Sequence, residues 1–272
     1  MVKGLAVFKE HFAPYHDKYV LIGGSACMLV MEDVGIPFRA TKDLDIVLYV
    51  EALNKEFVFA FKEFVKLGGY QNRQQSTGKD IFYRFSSPLN KDFPAMLELF
   101  SRLPDGIKFD IDGHLTPILL NESAISLSAI LLDDSYYHFI QTGKLEINGL
   151  STIGAAHLIP LKAKAWLDLT RRHLSNEAVD EKDIKKHKND IFRLLQVLSV
   201  DESIILPLPV RNDLRDFLQR IEKESIDMKT LGLKNTTYEN ALNTLRKIYN
   251  VLPLPSFATV SLNSSEAEIS LP

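Results

Sequence analysis

Two aspartates separated by one residue are the part of this sequence best suited to chemistry. Asp43 and Asp45 flank Leu44 at the start of an apolar, β-branched segment that predicts a strand over 44–50. Residues i and i+2 of a strand point to the same face, so both carboxylates project together. Adjacent carboxylates repel each other unless a cation or a proton lies between them. Because all ligands would be oxygens, the pair predicts a site for Mg²⁺ or Mn²⁺.

A site of this kind needs a third carboxylate from a neighbouring strand, and two segments offer one. Glu98 lies within a predicted apolar strand over 95–101, where an unpartnered charge is costly. Asp110 and Asp112 repeat the i, i+2 spacing, but Gly113 follows them, which is typical of an exposed strand end and turn. Glu98 is therefore the favoured third ligand, and the Asp110–Asp112 pair is the alternative.

A glycine-rich turn precedes the aspartates. The turn Gly23-Gly24-Ser25 follows a predicted strand over 19–22. Ser25 is expected to cap a helix over 26–34. Glycine lets the backbone approach a ligand closely, and the free N–H groups at a helix start favour phosphate oxygens. A phosphate-binding turn beside paired carboxylates is the combination that metal-assisted phosphoryl or nucleotidyl transfer requires.

Length and composition place these motifs in an ordinary globular protein. The chain has 272 residues, of which 46% are hydrophobic and 25% charged, and this excludes wholesale disorder and fibrous repeats. A net charge of −3 argues against a general nucleic-acid coat but leaves room for a local basic patch. The single cysteine, Cys27, cannot form an internal disulfide. No stretch approaches the length of a membrane-spanning helix, so the expectation is a cytoplasmic protein with no membrane partner.

Hydrophobic periodicity predicts the elements that position these residues. Strands are predicted over 19–22, 44–50, 80–85 and 95–101, with further β structure and turns over 108–150. Helices are predicted over 1–12, 26–34, 51–67, 154–174, 180–199, 211–224 and 235–250. The prediction is an α/β (α+β) fold, with a mixed-sheet catalytic domain over 1–154, an all-helical domain over 155–252 and a loose tail over 253–272.

At these motifs the sequence resembles the nucleotidyltransferase superfamily of DNA polymerase β type, whose signature is Gly-Gly/Ser, a spacer and Asp-x-Asp. Within it, the chain is most similar to the abortive-infection nucleotidyltransferase toxins of the AbiEii type. The matching positions are Gly23, Gly24, Ser25, Ala26, Arg39, Thr41, Asp43, Leu44 and Asp45. Two helical segments, 161–165 and 183–194, extend the resemblance. The spacer before Asp43 is longer than usual, and Glu98 stands where many relatives carry aspartate.

The resemblance implies a polymerase-β-like mixed sheet with a helical C-terminal domain. It implies transfer of a nucleoside monophosphate from an NTP to a hydroxyl acceptor, which is RNA such as the tRNA 3′ end, a protein or a small molecule. It also implies the toxin of a toxin–antitoxin pair, with a separate antitoxin protein as partner.

Roles for individual residues follow from their chemistry and from these motifs. Asp43, Asp45 and Glu98 are expected to hold the metal ions, and Glu98 to accept the acceptor's proton. Arg39 and Lys162 would stabilise triphosphate charge. On an ideal helix Asp183, His187 and Asp190 share one face, where Asp190 would orient Lys162 or the nucleotide. The predicted nucleotide-binding set is Gly23, Gly24, Ser25, Arg39, Thr41, Lys162, His187 and Asp190.

Several of these residues also have purely structural interpretations. Arg39 is also consistent with a charge on a surface loop. The aliphatic stem of Lys162 is also consistent with packing on its apolar neighbours, with the amino group reaching solvent. The basic run over 182–193 is also typical of a solvated helix face. Two alternative functions stay open. One is a non-catalytic member of the fold that binds a nucleotide or a partner protein, and the other is a small-molecule nucleotidyltransferase of the antibiotic-modifying kind.

Overall fold

The computed structural model describes residues 3–71, 83–102, 115–117 and 128–251. The α-helices of these ranges are α1 (Leu5–Phe12), α2 (Gly23–Asp33), α3 (Lys55–Gly68), α4 (Asp134–Thr142), α5 (Ala155–Leu174), α6 (Glu181–Leu195), α7 (Leu208–Ile221) and α8 (Tyr238–Ile248). Two short 3₁₀ helices span Ala13–Tyr15 and Met228–Leu231. The strands are β1 (Tyr19–Ile22), β2 (Asp43–Leu48), β3 (Arg84–Ser86), β4 (Met96–Ser101), β5 (Leu115–Pro117), β6 (Ser128–Leu131), β7 (Lys144–Ile147) and β8 (Leu150–Ile153).

The strands of the described ranges form one mixed sheet in the order β5-β6-β4-β2-β1-β8-β7, with β3 paired to β4. At its centre β1 and β2 run antiparallel, with Ile22 opposite Asp45. Strand β4 lies parallel to β2 on the other side. The end of β1, the start of β2 and the start of β4 therefore meet at one edge of the sheet.

Aromatic side chains fix the helices that cover one side of the sheet. Helix α3 begins after Asn54, whose side chain accepts a hydrogen bond from the N–H of Phe57. Its residues Phe57, Phe61 and Phe64 recur at helical spacing and are buried against Phe12 of α1. The apolar face of α3 therefore forms part of the core.

The chain changes from strands to helices at Gly154, between the end of β8 and the start of α5. Helix α5 packs against α6 and α7, and the ring of Trp166 meets Phe217 of α7 edge-on. Helix α2 of the sheet half also contacts α5 and α6, so the two halves are in direct contact. The predicted mixed α/β fold followed by helices is confirmed. Among the helices in the part of the chain described, none combines the length and apolarity needed to cross a membrane.

The structure corrects several element predictions. The region over 108–150 was expected to be β structure with a turn at Asp133 and Asp134, but these residues begin helix α4, because the Asp133 side chain accepts a hydrogen bond from the N–H of Ser135. Helix α2 begins at Gly23 rather than after Ser25. Helix α3 starts at Lys55, four residues later than predicted, since Asn54 provides the cap. The first part of the predicted strand over 80–85, the Asp110–Asp112 pair and the predicted tail over 253–272 lie outside the described residues.

Candidate active site

Strand pairing brings the predicted carboxylates to one face of the sheet. In the parallel register of β2 and β4, Asp45 lies opposite Glu98 and Asp43 lies opposite Met96. Asp43 and Asp45 are two residues apart in β2, so they share this face, as the spacing predicts. All three acidic side chains line a cleft of about 660 Å³ between the sheet and the helical half.

Within the described ranges, neither Asp43 nor Asp45 has a hydrogen bond or an ion pair. Burial, assisted by the neighbouring Glu98 carboxylate, raises the pKa of Asp45 to about 6. Burial also raises the pKa of Asp43, although the charges of Lys186 and Lys42 oppose this rise. Positive charges of the described residues therefore lie near the two aspartates without pairing with them.

Glu98 lies beside the aspartates but has a partner. The Nε of Arg84 donates to Glu98 Oε1 at 2.6 Å, and the Nη2 of Arg84 approaches the same oxygen. Across the residues that the structure describes, no three His, Cys, Asp or Glu side chains converge closely enough to hold a metal ion. Asp43 and Asp45 thus form the core of the acidic group, and Glu98 stays the predicted third ligand.

The glycine turn lies directly against the acidic group. Gly23 has a φ of 68°, and a Cβ at this position would overlap the Oδ2 of Asp45. At Gly24, a Cβ would lie 2.7 Å from the Oγ1 of Thr41. Only glycine combines the left-handed backbone with this approach at Gly23. Gly23, Gly24 and Thr41 all line the cleft, as the predicted nucleotide-binding set requires.

Ser25 differs from its expected position. It is the third residue of α2 rather than the helix cap, it is fully buried, and its hydroxyl donates to the carbonyl of Ile22 at 3.2 Å. It does not belong to the cleft lining. Its phosphate-binding role stays a prediction, with the hydroxyl engaged inside the fold.

Asp190 of α6 is the centre of a buried ion cluster that joins the two halves. The side chain is fully buried and accepts two hydrogen bonds from Arg39, Nε to Oδ1 at 2.9 Å and Nη2 to Oδ2 at 2.6 Å. The Nζ of Lys162 lies 3.3 Å from Oδ2, and Arg193 lies 3.4 Å from Oδ1. Asp190 thus orients Lys162, as the helix geometry predicts, and it also holds Arg39.

Charge balance in this cluster keeps its members ionised. The net effect on Asp190 is a lowered pKa. Burial alone would raise this pKa, but hydrogen bonds and positive charge from Arg39 and Lys162 outweigh the effect of burial. Burial disfavours the charge on Lys162, yet its neighbours Cys27 and Asp190 raise its pKa overall. Burial raises the pKa of the Cys27 thiol to about 11, so the thiol is neutral near pH 7 and Asp190 is the counter-ion of Lys162. Arg39 and Lys162, which both line the cleft, therefore remain cations there.

Helix α6 adds three further residues to the cleft: Asp183, Lys186 and His187. Lys186 pairs with Asp183 at 2.6 Å and is close enough to Asp43 to lower that carboxyl's pKa. The Nδ1 of His187 is buried without a hydrogen-bond partner in the described part of the chain. Burial, with the charges of Lys162 and Lys186, lowers the pKa of His187 to about 3, so its imidazole is neutral.

Lys186 and Arg84 are charged cleft residues that were not predicted from the sequence. Lys186 lies three residues after Asp183, so the helical spacing that selected Asp183, His187 and Asp190 contained the signal for it. Arg84 faces Glu98 only because β3 pairs with β4, and no local pattern predicts that pairing.

The remaining wall of the cleft is largely apolar. It is formed by side chains of β4, α4 and α5, among them Met96, Phe100, Leu132, Ile140, Leu158 and Leu161. Tyr136, Lys164 and Asp168 add polar groups there. The cleft thus combines an acidic group, a glycine turn with cations, and an apolar wall, which together suit a ligand with a metal ion, phosphates and a ring.

Comparison with known proteins gives one similar structure. No protein-family model matches the chain, and no curated protein matches it. Among solved structures, the chain is similar to an antigenic nucleotidyltransferase-like protein from Paracoccidioides brasiliensis. The two are 15% identical, the match covers 88% of this chain and 92% of that one, and the TM-score is 0.44.

Proposed function

We propose that this chain is a metal-dependent nucleotidyltransferase, which moves a nucleoside monophosphate from a nucleoside triphosphate to a hydroxyl acceptor. The proposal is carried by one observation, that two aspartates without a partner among the described residues, a glycine turn and the cations Arg39 and Lys162 line the same cleft. The aspartates attract a divalent cation, whereas the turn and the cations attract phosphate oxygens. A nucleoside triphosphate with its metal ion complements both.

Mg²⁺ or Mn²⁺ is the cofactor proposed for the acidic group. Asp43 and Asp45 fit such an ion because both offer oxygen ligands that pair with no described residue, and the lack of a side chain at Gly23 accommodates the Asp45 carboxylate. Glu98, on the same face, is the proposed third ligand and acceptor of the attacking hydroxyl's proton. When bound, the ion would neutralise charge on the triphosphate and lower the pKa of the attacking hydroxyl.

The proposed triphosphate contacts come from both halves of the molecule. The backbone of Gly23 and Gly24 would bind phosphate oxygens at the start of α2. Arg39 and Lys162 would stabilise the charge that develops on the leaving pyrophosphate. Asp190 supports this role because it fixes both cations without entering the cleft lining. Thr41 and the neutral His187 are proposed as polar contacts to the nucleotide.

The sequence resemblance extends the proposal to the acceptor. It favours a hydroxyl of RNA, such as the tRNA 3′ end, or of a protein, and a toxin that a separate antitoxin neutralises. Lys182 and Lys185 are exposed on α6, the helix that carries Lys186 and His187 into the cleft. Their charge would assist the approach of a phosphate-bearing acceptor.

The test is transfer of a labelled α-phosphate from each of the four nucleoside triphosphates to bulk tRNA or to protein, with Mg²⁺ or Mn²⁺. We expect labelled acceptor with the unchanged protein, and at least about a hundredfold loss with Asp43→Asn or Asp45→Asn. Asp216→Asn, which changes an exposed carboxylate paired with Arg220 on α7, is the matched control and should retain transfer. Absence of both label transfer and nucleotide-dependent thermal stabilisation would contradict the proposal.

One observation favours a second candidate, a non-catalytic protein that binds nucleotide. In the described residues Glu98 is paired with Arg84 through Oε1, and no three acidic side chains form a metal-binding group. This candidate predicts nucleotide-dependent thermal stabilisation with no label transfer to any acceptor. The same labelled nucleotides therefore separate the two functions.

A further inference from the structure

Arg84 lies beside the proposed cation site and has no role in the reaction proposed above. It faces Glu98 in the antiparallel register of β3 and β4, and it lines the cleft. Two of its nitrogens converge on a single oxygen, Oε1 of Glu98. The Arg84 side chain is 48% exposed, against 12% for Glu98. Because the guanidinium is half-exposed, it can leave the pair without disturbing the core.

The pairing with Arg84 explains why the three carboxylates do not converge. The backbone places Glu98 directly opposite Asp45, which is the geometry of a shared cation site. Yet no three acidic side chains of the described ranges form a metal-binding group. Among the described residues the guanidinium of Arg84 pairs with Glu98. The charge of Arg84 also reaches Asp43, where it opposes the rise that burial causes in the pKa. Arg84 thus supplies positive charge beside two of the three carboxylates.

We propose that Arg84 is a displaceable counter-ion of the cation site, which holds Glu98 when no ion is bound, yields that carboxylate to the ion, and then binds the triphosphate. The inference rests on the proposed function, because it requires a divalent ion at Asp43 and Asp45. The exchange makes and breaks no covalent bond. Once released, the guanidinium remains in the cleft, where phosphate oxygens are its natural partners.

This exchange predicts opposite effects of one substitution on two ligands. Without the guanidinium, a divalent ion no longer competes for Glu98, so the ion alone should bind more tightly. A metal–triphosphate complex loses a guanidinium contact, so it should bind more weakly. A residue that merely orients Glu98, or that forms an exposed ion pair, cannot produce this change of sign.

The experiment compares binding of Mn²⁺ alone with binding of Mn²⁺–tripolyphosphate, by electron paramagnetic resonance and calorimetry on the full chain. Arg84→Gln should bind Mn²⁺ roughly three- to tenfold more tightly than the unchanged protein, and the tripolyphosphate complex at least about threefold more weakly. Arg84→Lys keeps a positive charge, so its affinities for both ligands should lie between those of Arg84→Gln and the unchanged protein. Arg220→Gln removes an arginine from the exposed pair with Asp216 and should change neither affinity.

Two results would overturn the inference. Weaker Mn²⁺ binding by Arg84→Gln, matching Glu98→Gln, would mean that Arg84 only positions the carboxylate. Unchanged affinity for both ligands would mean that the pair is a simple surface contact. Asp45→Asn separates failure of this inference from failure of the proposed function. If Asp45→Asn binds Mn²⁺ as tightly as the unchanged protein, the ion does not bind at the acidic group and the proposed function fails. Thermal unfolding of each variant in EDTA verifies that it is folded.

Discussion

Among the single residues, the half-buried carboxylate of Asp45 and the buried carboxylate of Asp190 have opposite surroundings. Asp190 has three cations around it, whereas Asp45 has no partner among the described residues and lies beside two further carboxylates. Burying a charge without a partner destabilises a fold. The charge of Asp190 is thus paired within the protein, whereas the charge of Asp45 is paired with none of the described residues, as the proposed cation site requires.

Asp45→Asn is expected to stabilise the protein in the absence of metal. The folded-state pKa of Asp45 is about 6, above its ordinary value of 3.8, so the folded state holds this proton more tightly than the unfolded state. Stability therefore falls as pH rises between these values, and ionised Asp45 costs about 3 kcal/mol at neutral pH. Urea unfolding in EDTA should show the variant about 3 kcal/mol more stable at pH 7.5. The gain should shrink below pH 6 and vanish near pH 4. A gain independent of pH would be inconsistent with this account.

At the scale of elements, the turn between β1 and α2 sets the geometry of the acidic group. Ile22 is paired with Asp45, so the residue that follows it must pass directly over that carboxylate. The left-handed backbone of Gly23 begins the helix there and leaves room for the aspartate. The turn and the strand are thus one unit, because a side chain in the turn would displace the carboxylate.

Gly23→Ala and Gly35→Ala form a matched pair that tests this coupling. Both glycines have a left-handed φ, of 68° and 74°, but a Cβ at Gly35 has nothing within 4 Å. Gly35→Ala should therefore lose only about 1 kcal/mol from backbone strain and bind Mn²⁺ normally. Gly23→Ala adds the overlap with Asp45, so it should lose more stability and weaken Mn²⁺ binding at least about tenfold. Urea unfolding measures the stability of each variant, and Mn²⁺ titration measures its affinity for the ion. Equal Mn²⁺ affinities of the two variants would refute the coupling between the turn and Asp45.

At the scale of the whole molecule, the cleft exists because the sheet half and the helical half are held together by charge as well as by apolar packing. Arg39 comes from the segment before β2, Lys162 from α5 and Asp190 from α6. Lys162 and Asp190 of this cluster are almost completely buried. Removing one partner of a buried ion pair leaves the other charge uncompensated, which strongly destabilises the fold. The proposed triphosphate ligands are therefore also structural links between the halves.

Asp190→Asn should strongly destabilise the protein, because it removes the counter-ion of the buried Lys162 and of the partly exposed Arg39. The expected loss is about 3–5 kcal/mol of unfolding free energy at pH 7.5. Asp216→Asn, which removes one partner of an exposed pair with Arg220, should lose at most about 1 kcal/mol. Arg39→Gln combined with Asp190→Asn should lose less than the sum of the single changes, because the two residues interact directly. Additive losses in urea unfolding would show that Asp190 does not act through Arg39.

Local sequence patterns predicted the strand that carries Asp43 and Asp45, the glycine turn and the change to helices near residue 154. These features depend on local spacing, since alternation along a strand and helical periodicity are properties of neighbouring residues. Helix α4 was missed because the Asp133-Asp134 pair marks a turn and a helix start equally well, and only the hydrogen bond to Ser135 distinguishes them.

Tertiary structure alone decided which charges are neutralised. The pairing of Arg84 with Glu98, the hydrogen bond of the Ser25 hydroxyl to Ile22 and the meeting of Arg39 with Asp190 join groups whose orientation no local pattern specifies. Whether a carboxylate is left without a partner depends on strand register and on burial, and both arise only when distant segments pack. For that reason the residue types of the site are readable in the sequence, but its charge balance belongs to the fold.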